Sequence, residues 1–225
     1  MQSRHLFFMK KLAAFALALS SLCSAARACD TALLLSIDVS NSVDPAEYRL
    51  QVDGMADALL DPEVVTAMVR GEVAIAVMQW SGADRQEVSL DWRQIRTAKD
   101  AEELAITSRL LERAFILSDT APAEAIYFGL DMLRRAPDCK KYIMDVSGDG
   151  TPNAGSDTVT ARQAAQRQGV TINAIAIESM GLAITTFFER QVITRDGFVI
   201  TARTHREYPD AIRRKIIREL SAALG

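Results

Sequence analysis

Three short segments collect the oxygen-bearing side chains able to do chemistry. They are Asp38-Val39-Ser40-Asn41-Ser42, Ser118-Asp119-Thr120-Ala121 and Gly148-Asp149-Gly150-Thr151-Pro152-Asn153. None contains Lys, Arg, His or Cys. Carboxylates and hydroxyls without imidazole or thiolate are the donor set of a hard divalent cation: Mg²⁺ first, with Mn²⁺ or Ca²⁺ as alternatives. In Asp38-x-Ser40-x-Ser42 the alternate spacing, on an extended turn leaving a strand, points three oxygens to one side. Any one segment alone is ordinary turn and cap chemistry. Their ligand type and number together favour a metal. Asp44 and Asp119 read as helix caps, and Asp145, inside a predicted strand, as a structural hydrogen-bonding group.

Other chemistries fit less well. Asp145-x-Ser147-x-Asp149-Gly150 imitates the start of a calcium loop, but Ser156 stands where a bidentate Glu is needed. No G-x-G-x-x-G follows the first strand, and GDGTPNAG lacks the Lys of a phosphate loop. A serine hydrolase would have to recruit His205 to Ser40, Ser42 or Ser147 without a G-x-S-x-G elbow.

The elements that must hold these segments alternate in type. Thr31–Ile37 is a continuous apolar run, the mark of a strand buried on both faces. Asp44-Pro45-Ala46-Glu47 reads as a helix start with a capping box, and Tyr48, Val52, Met55 and Leu59 follow as one stripe. Strands are predicted at Glu72–Gln79, Gln86–Leu90 (a short edge), Lys141–Ser147, Val170–Ile177 and Gly197–Thr201. Helices are predicted over Ala101–Phe115, Pro122–Leu133 and Thr158–Gln168. A closing helix carries Ile212, Ile216, Ile217 and Leu220 inward, with Arg213, Arg214, Lys215 and Arg218 on its solvent side. Strands alternating with helices specify an α/β fold, a mostly parallel sheet covered on both faces, and no linker divides it. Ligands in such sheets collect at the carboxyl ends of the strands, where all three segments lie.

Residues 1–28 read as a secretory signal peptide. Arg4, Lys10 and Lys11 precede the apolar run Leu12–Leu22, which is too short to span a bilayer, and Ala26-Arg27-Ala28 offers cleavage after Ala28. Acylation at Cys29 is disfavoured, because Ala26 stands where a lipoprotein signal usually has Leu. The leader takes four of the 26 basic residues and none of the 29 acidic ones, so residues 29–225 hold 22 against 29, net −7. That balance argues against nucleic acid or an anionic membrane as partner. His205 is the single imidazole outside the leader, which excludes a multi-histidine zinc site. Cys29 and Cys139 remain as an even pair in an oxidising compartment, open to a bridge or to two free thiols.

Asp38-x-Ser40-x-Ser42 after a buried strand, Thr120 opening a helix, and Asp149-Gly150 after a later strand resemble the metal-ion-dependent adhesion site of von Willebrand factor A (vWA) domains. The wording DVSNSVDPAEYRLQ and YIMDVSGDGTPN is similar to a secreted bacterial branch of that family. The resemblance spans about residues 30–225. It implies a doubly wound six-stranded sheet of order 3-2-1-4-5-6, with Gln86–Leu90 as the antiparallel edge. It implies that Ser40 and Ser42 bind the ion through their hydroxyls. Asp38, Thr120 and Asp149 would complete the shell, leaving one position for a partner's carboxylate. Thr120-Ala121-Pro122-Ala123 departs from the family's Thr-x-x-Gly, although Pro suits a helix start. The implied order makes the strands after Cys29 and Cys139 parallel neighbours, so a Cys29–Cys139 disulfide is expected on the edge opposite the metal.

The reading is therefore a non-enzymatic, exported single domain (29–225) that binds a protein partner's acidic residue through a divalent ion, with no membrane insertion. Two alternatives stay open. One is a metal-dependent hydrolase, for which no base is evident beside the site: His205 is far along the chain, and Glu124 or Asp119 would have to serve. The other is a module whose metal only stabilises the fold.

Overall fold

The structure, a computed structural model, describes residues 29–178 and 183–221. The expected leader lies outside the described residues. Among these, six strands form one sheet in the order β3-β2-β1-β4-β5-β6. They are β1 (Cys29–Asp38), β2 (Ala74–Trp80), β3 (Gln86–Gln94), β4 (Cys139–Gly148), β5 (Val170–Ile177) and β6 (Val199–Ala202). All neighbours are parallel except the β2–β3 pair. The expected fold class, strand order and antiparallel edge are all present.

Helices α1 (Pro45–Leu60), α2 (Pro62–Gly71), α3 (Ala98–Arg109) and α7 (Tyr208–Ser221) cover one face, and α4 (Pro122–Leu133), α5 (Thr158–Arg167) and α6 (Ala183–Phe187) the other. Strand β1 divides its side chains between the two cores: Leu33, Leu35 and Ile37 face one, Ala32 and Leu34 the other, all essentially fully buried. This two-sided burial is why β1 reads as an unbroken apolar run.

Cys29 and Cys139 are register partners on β1 and β4 and form a disulfide with a Cα–Cα distance of 4.5 Å. The expected bridge is present, at the amino end of the sheet. The chain leaves β1 toward β2 on one side and returns to β4 on the other, so the carboxyl ends of β1 and β4 are the topological switch point.

The elements depart from expectation in four places. Helix α2 was not anticipated: Asp61, with extended backbone (φ −59°, ψ 131°), ends α1 and also caps α2 through Glu63 N and Val64 N. Helix α6 and the π-helical turn Phe188–Val192 also add to the expected elements. Helix α3 stops at Arg109, not Phe115, because the following backbone is claimed by other elements. Tyr48 Oη donates to Leu111 O, Gln79 Nε2 to Glu112 O, and Ala114 N to Gln79 Oε1. Finally, Asp119 does not cap α4, whose N-cap is Ala121 with no side-chain bond.

The largest correction concerns Lys215. It is completely buried, not on the solvent side of α7. Its Nζ lies 2.6 Å from both Asp145 Oδ1 and Glu219 Oε1, and Asn173 Nδ2 donates to the same Glu219 oxygen at 2.7 Å. The strand carboxylate expected to make a structural hydrogen bond thus makes a buried ion pair.

Candidate metal centre

Strand β1 ends at Asp38, and the chain turns at once. Ser40 N donates to Asp38 Oδ1 at 2.8 Å, an Asx-type turn, and Val43 N closes a further turn on Ser40 O at 3.1 Å. The loop is clamped from outside by Arg113, whose Nη2 donates to Val39 O and Ser40 O, and by Asn41 N donating to Ser118 O. The second segment is fixed by a reciprocal pair: Thr120 N donates to Asn153 Oδ1, and Asn153 N to Thr120 O. Strand β4 delivers the third segment beside the first.

The three segments converge. Ser42 Oγ donates to Asp149 Oδ1 at 2.5 Å across 107 residues of sequence, and the Ser40 and Ser42 hydroxyls are 3.1 Å apart. A methyl added to Gly150 would sit 3.5 Å from Thr120 Oγ1 and 3.8 Å from Ser42 Oγ, so these two hydroxyls flank that glycine. One added to Gly148 would come within 2.9 Å of Asp38 Oδ2, closer than real Cβ contacts allow. Gly148 is therefore what lets β4 approach the first carboxylate. Asp38, Ser40, Thr120 and Asp149 are buried, and Ser42 is exposed.

The electrostatics call for a cation. Burial pushes Asp38 up to about 7, with the charge of Asp149 adding to the shift and bonds from Ser40 opposing it. Asp149 is also raised, chiefly by burial, while Ser42 and His205 lower it. Asp38 Oδ2 is buried with no hydrogen-bond partner. Arg113, the guanidinium against this loop, bonds its carbonyls. Two crowded carboxylates, one with an orphaned oxygen, and three hydroxyls form an oxygen-rich donor set, and these residues fit a divalent ion.

Sequence reasoning missed two members of this neighbourhood. His205, expected far from the site, lies beside it: Nε2 is 3.8 Å from Asp149 Oδ2, and Nδ1 is 3.0 Å from Glu47 Oε1. Glu47, Asp149 and His205 each offer a ligand atom, all within 4.8 Å of one another. The signal was available. His205 follows β6, whose carboxyl end is on the same edge as those of β1 and β4, and Glu47 is the capping-box residue of α1, which starts just after Ser42.

A family model described as "Protein of unknown function (DUF1194)" matches residues 28–224. The chain belongs to the DUF1194 family. Its fold is that of vWA domains, as several solved structures show. Proximal thread matrix protein 1 from the mussel byssus aligns with a TM-score of 0.67 at 18% identity, covering 86% of this chain and 48% of that one. A second structure of that protein, with a zinc-occupied adhesion-site motif, aligns at 0.59 and 17%, covering 84% and 46%. The vWF domain of the type V pili tip protein Mfa5 from Porphyromonas gingivalis aligns at 0.61 and 9%, covering 88% and 97%. The DUF1194 chain thus spans about half the length of the mussel protein. No curated protein matches it.

Proposed function

We propose that this DUF1194 protein is an exported binding module that grips a carboxylate of a protein partner through a divalent cation. Ser40, Ser42, Thr120, Asp38 and Asp149 would hold the ion, some of them through water, with Mg²⁺ as the first candidate and Mn²⁺ or Ca²⁺ as alternatives. When bound, the ion supplies a positive centre whose exchangeable water an incoming acid replaces. The observation behind it is that oxygens from three loops meet, Ser40 and Ser42 with Asp149 and, across Gly150, Thr120, while Asp38 Oδ2 is buried without a partner.

The chain's own residues prepare the surface. Arg113 and Asn41 hold the first loop, Asn153 holds Thr120, and Ser42 stays open to solvent. The loop that follows α3 exposes Ile116 and Leu117, the latter 85% accessible with φ 51°, immediately before Ser118, which accepts from Asn41 N. A partner presenting an acid flanked by apolar side chains suits that rim. Export through a leader ending at Ala28 agrees with the disulfide. Among the described residues no helix is long and apolar enough to cross a membrane.

Calorimetric titration with Mg²⁺ and Mn²⁺ tests the reading. One ion per chain, lost in Asp38→Ala, together with metal-dependent capture of an envelope protein is the expected result. Ion-independent capture would contradict it. The hydrolase reading gains one observation, the Glu47–His205 pair beside Asp149. Metal-dependent cleavage of a phosphoester panel, abolished in Asp38→Ala, would favour it.

A further inference from the structure

His205 is 6% exposed, and its Nε2 is a buried atom with no hydrogen-bond partner. The other ring nitrogen is taken: Nδ1 lies 3.0 Å from Glu47 Oε1. A carboxylate only accepts, so this contact assigns a ring proton to Nδ1 and makes Nε2 the nitrogen that can turn to a metal. Glu47 is itself fixed, because its Oε2 accepts from Asp44 N at 2.8 Å in the capping box of α1. The free nitrogen faces Asp149 Oδ2 at 3.8 Å. That gap is too wide for a hydrogen bond. It falls within the roughly 4.2 Å that two ligand atoms can span across one zinc-sized ion, with bonds of about 2.0–2.2 Å each. A ligating imidazole whose far nitrogen is held by a carboxylate is also the usual outer-shell arrangement of metal-bound histidine.

We propose that His205 Nε2 is a direct ligand of the ion held beside Asp149, oriented by Glu47, and that it tunes the centre toward Zn²⁺ over Mg²⁺. The inference rests on the metal-centre reading above and adds a nitrogen ligand to its oxygen set. Imidazole suits zinc, whereas magnesium prefers oxygen donors throughout. The ligand comes from the 3₁₀ turn His205–Glu207 that leads directly into α7. Ion occupancy therefore also ties the start of that helix to the loop after β4.

The test is calorimetric titration of the full chain with Zn²⁺ and, separately, Mg²⁺, for wild type, His205→Gln, Glu47→Gln and Asp38→Ala. His205→Gln is expected to weaken Zn²⁺ at least about 100-fold, and Glu47→Gln about 10-fold as a positioning change. Mg²⁺ affinity should move less than about 3-fold in both. The selectivity ratio matters, because a merely structural role would weaken both ions alike. In parallel, ¹⁵N imidazole spectra should show the His205 signal, assigned by its loss in His205→Gln, shifting on Zn²⁺ addition. An unchanged Zn²⁺/Mg²⁺ ratio in both variants, with both ions still lost in Asp38→Ala, overturns this inference alone. Absence of any ion binding by wild type overturns the metal centre with it. Should His205→Gln fail to fold, the Glu47→Gln ratio decides, since Gln keeps the capping acceptor.

Discussion

Replacing Lys215 by Met tests how α7 is docked. Met nearly preserves the volume, so the perturbation is the loss of one buried ammonium. In the native fold that ammonium sits 2.6 Å from each of two carboxylates, Asp145 and Glu219, all three at most 3% exposed. Removing it leaves two buried acids, Asp145 near buried Tyr208 and Glu219 accepting from the amide nitrogen of Asn173. Breaking a buried pair by deleting one partner costs about 3–5 kcal/mol, and the lower bound applies if one acid takes up a proton. The pH dependence has a definite sign. Burial already raises Asp145 to about 7 against the pull of Lys215, so the folded state holds a proton that the unfolded chain releases above about 4. This contribution to stability is complete below the unfolded pKa and is lost as pH rises through 7. Without Lys215 the carboxyl of Asp145 shifts further upward, and the destabilisation should be larger at pH 8 than at pH 5. Adding Asp145→Asn and Glu219→Gln should recover most of it, because a neutral network avoids the charge burial. Urea unfolding at the two pH values measures both effects. A cost below about 1 kcal/mol with no pH dependence would refute the buried network and the placement of α7 on it.

Other expectations follow from the same structure. Replacing Cys29 and Cys139 together by Ser should lower stability by about 3–5 kcal/mol, from a closed loop spanning 110 residues, in denaturant titrations. Ion affinity should stay unchanged, since the bridge lies at the opposite end of β1 and β4. Asp61→Ala should cost about 1–2 kcal/mol, as α2 loses its cap and Arg213 its partner at 2.6 Å. Bonding to Arg213 holds Asp61 below the usual carboxylate range, so this contribution is present at neutral pH and fades as pH falls through that lowered value. Asp38→Asn should leave the ion-free protein at least as stable as wild type in thermal unfolding, because it removes one of two crowded buried charges, yet abolish stabilisation by Mn²⁺.

The sheet was legible because its physics is local. Two-sided burial makes β1 read as an apolar run, and Gly169, at φ +71°, follows the end of α5 near its predicted boundary. The oxygen donors were legible because their types and their places after strands point one way. Lys215 was not, since helical spacing among Arg213, Arg214 and Arg218 makes it resemble its solvated neighbours. The clue lay elsewhere, in Asp145, because a carboxylate inside a buried strand demands a cation. His205 was passed over because separation along the chain was taken for separation in space, although parallel strands bring their carboxyl ends to one edge. Residues 110–119 carry helix-like composition, yet Gln79, Tyr48 and Arg113 engage the surrounding backbone in tertiary bonds that no local pattern encodes.

The most direct measurement is anomalous diffraction from crystals grown with Mn²⁺. A single strong peak per chain is expected within coordination distance of Ser40, Ser42 and Asp149, absent in Asp38→Ala crystals grown alike. Manganese density only elsewhere on the molecule, with these side chains bonded to one another and to water, would contradict it.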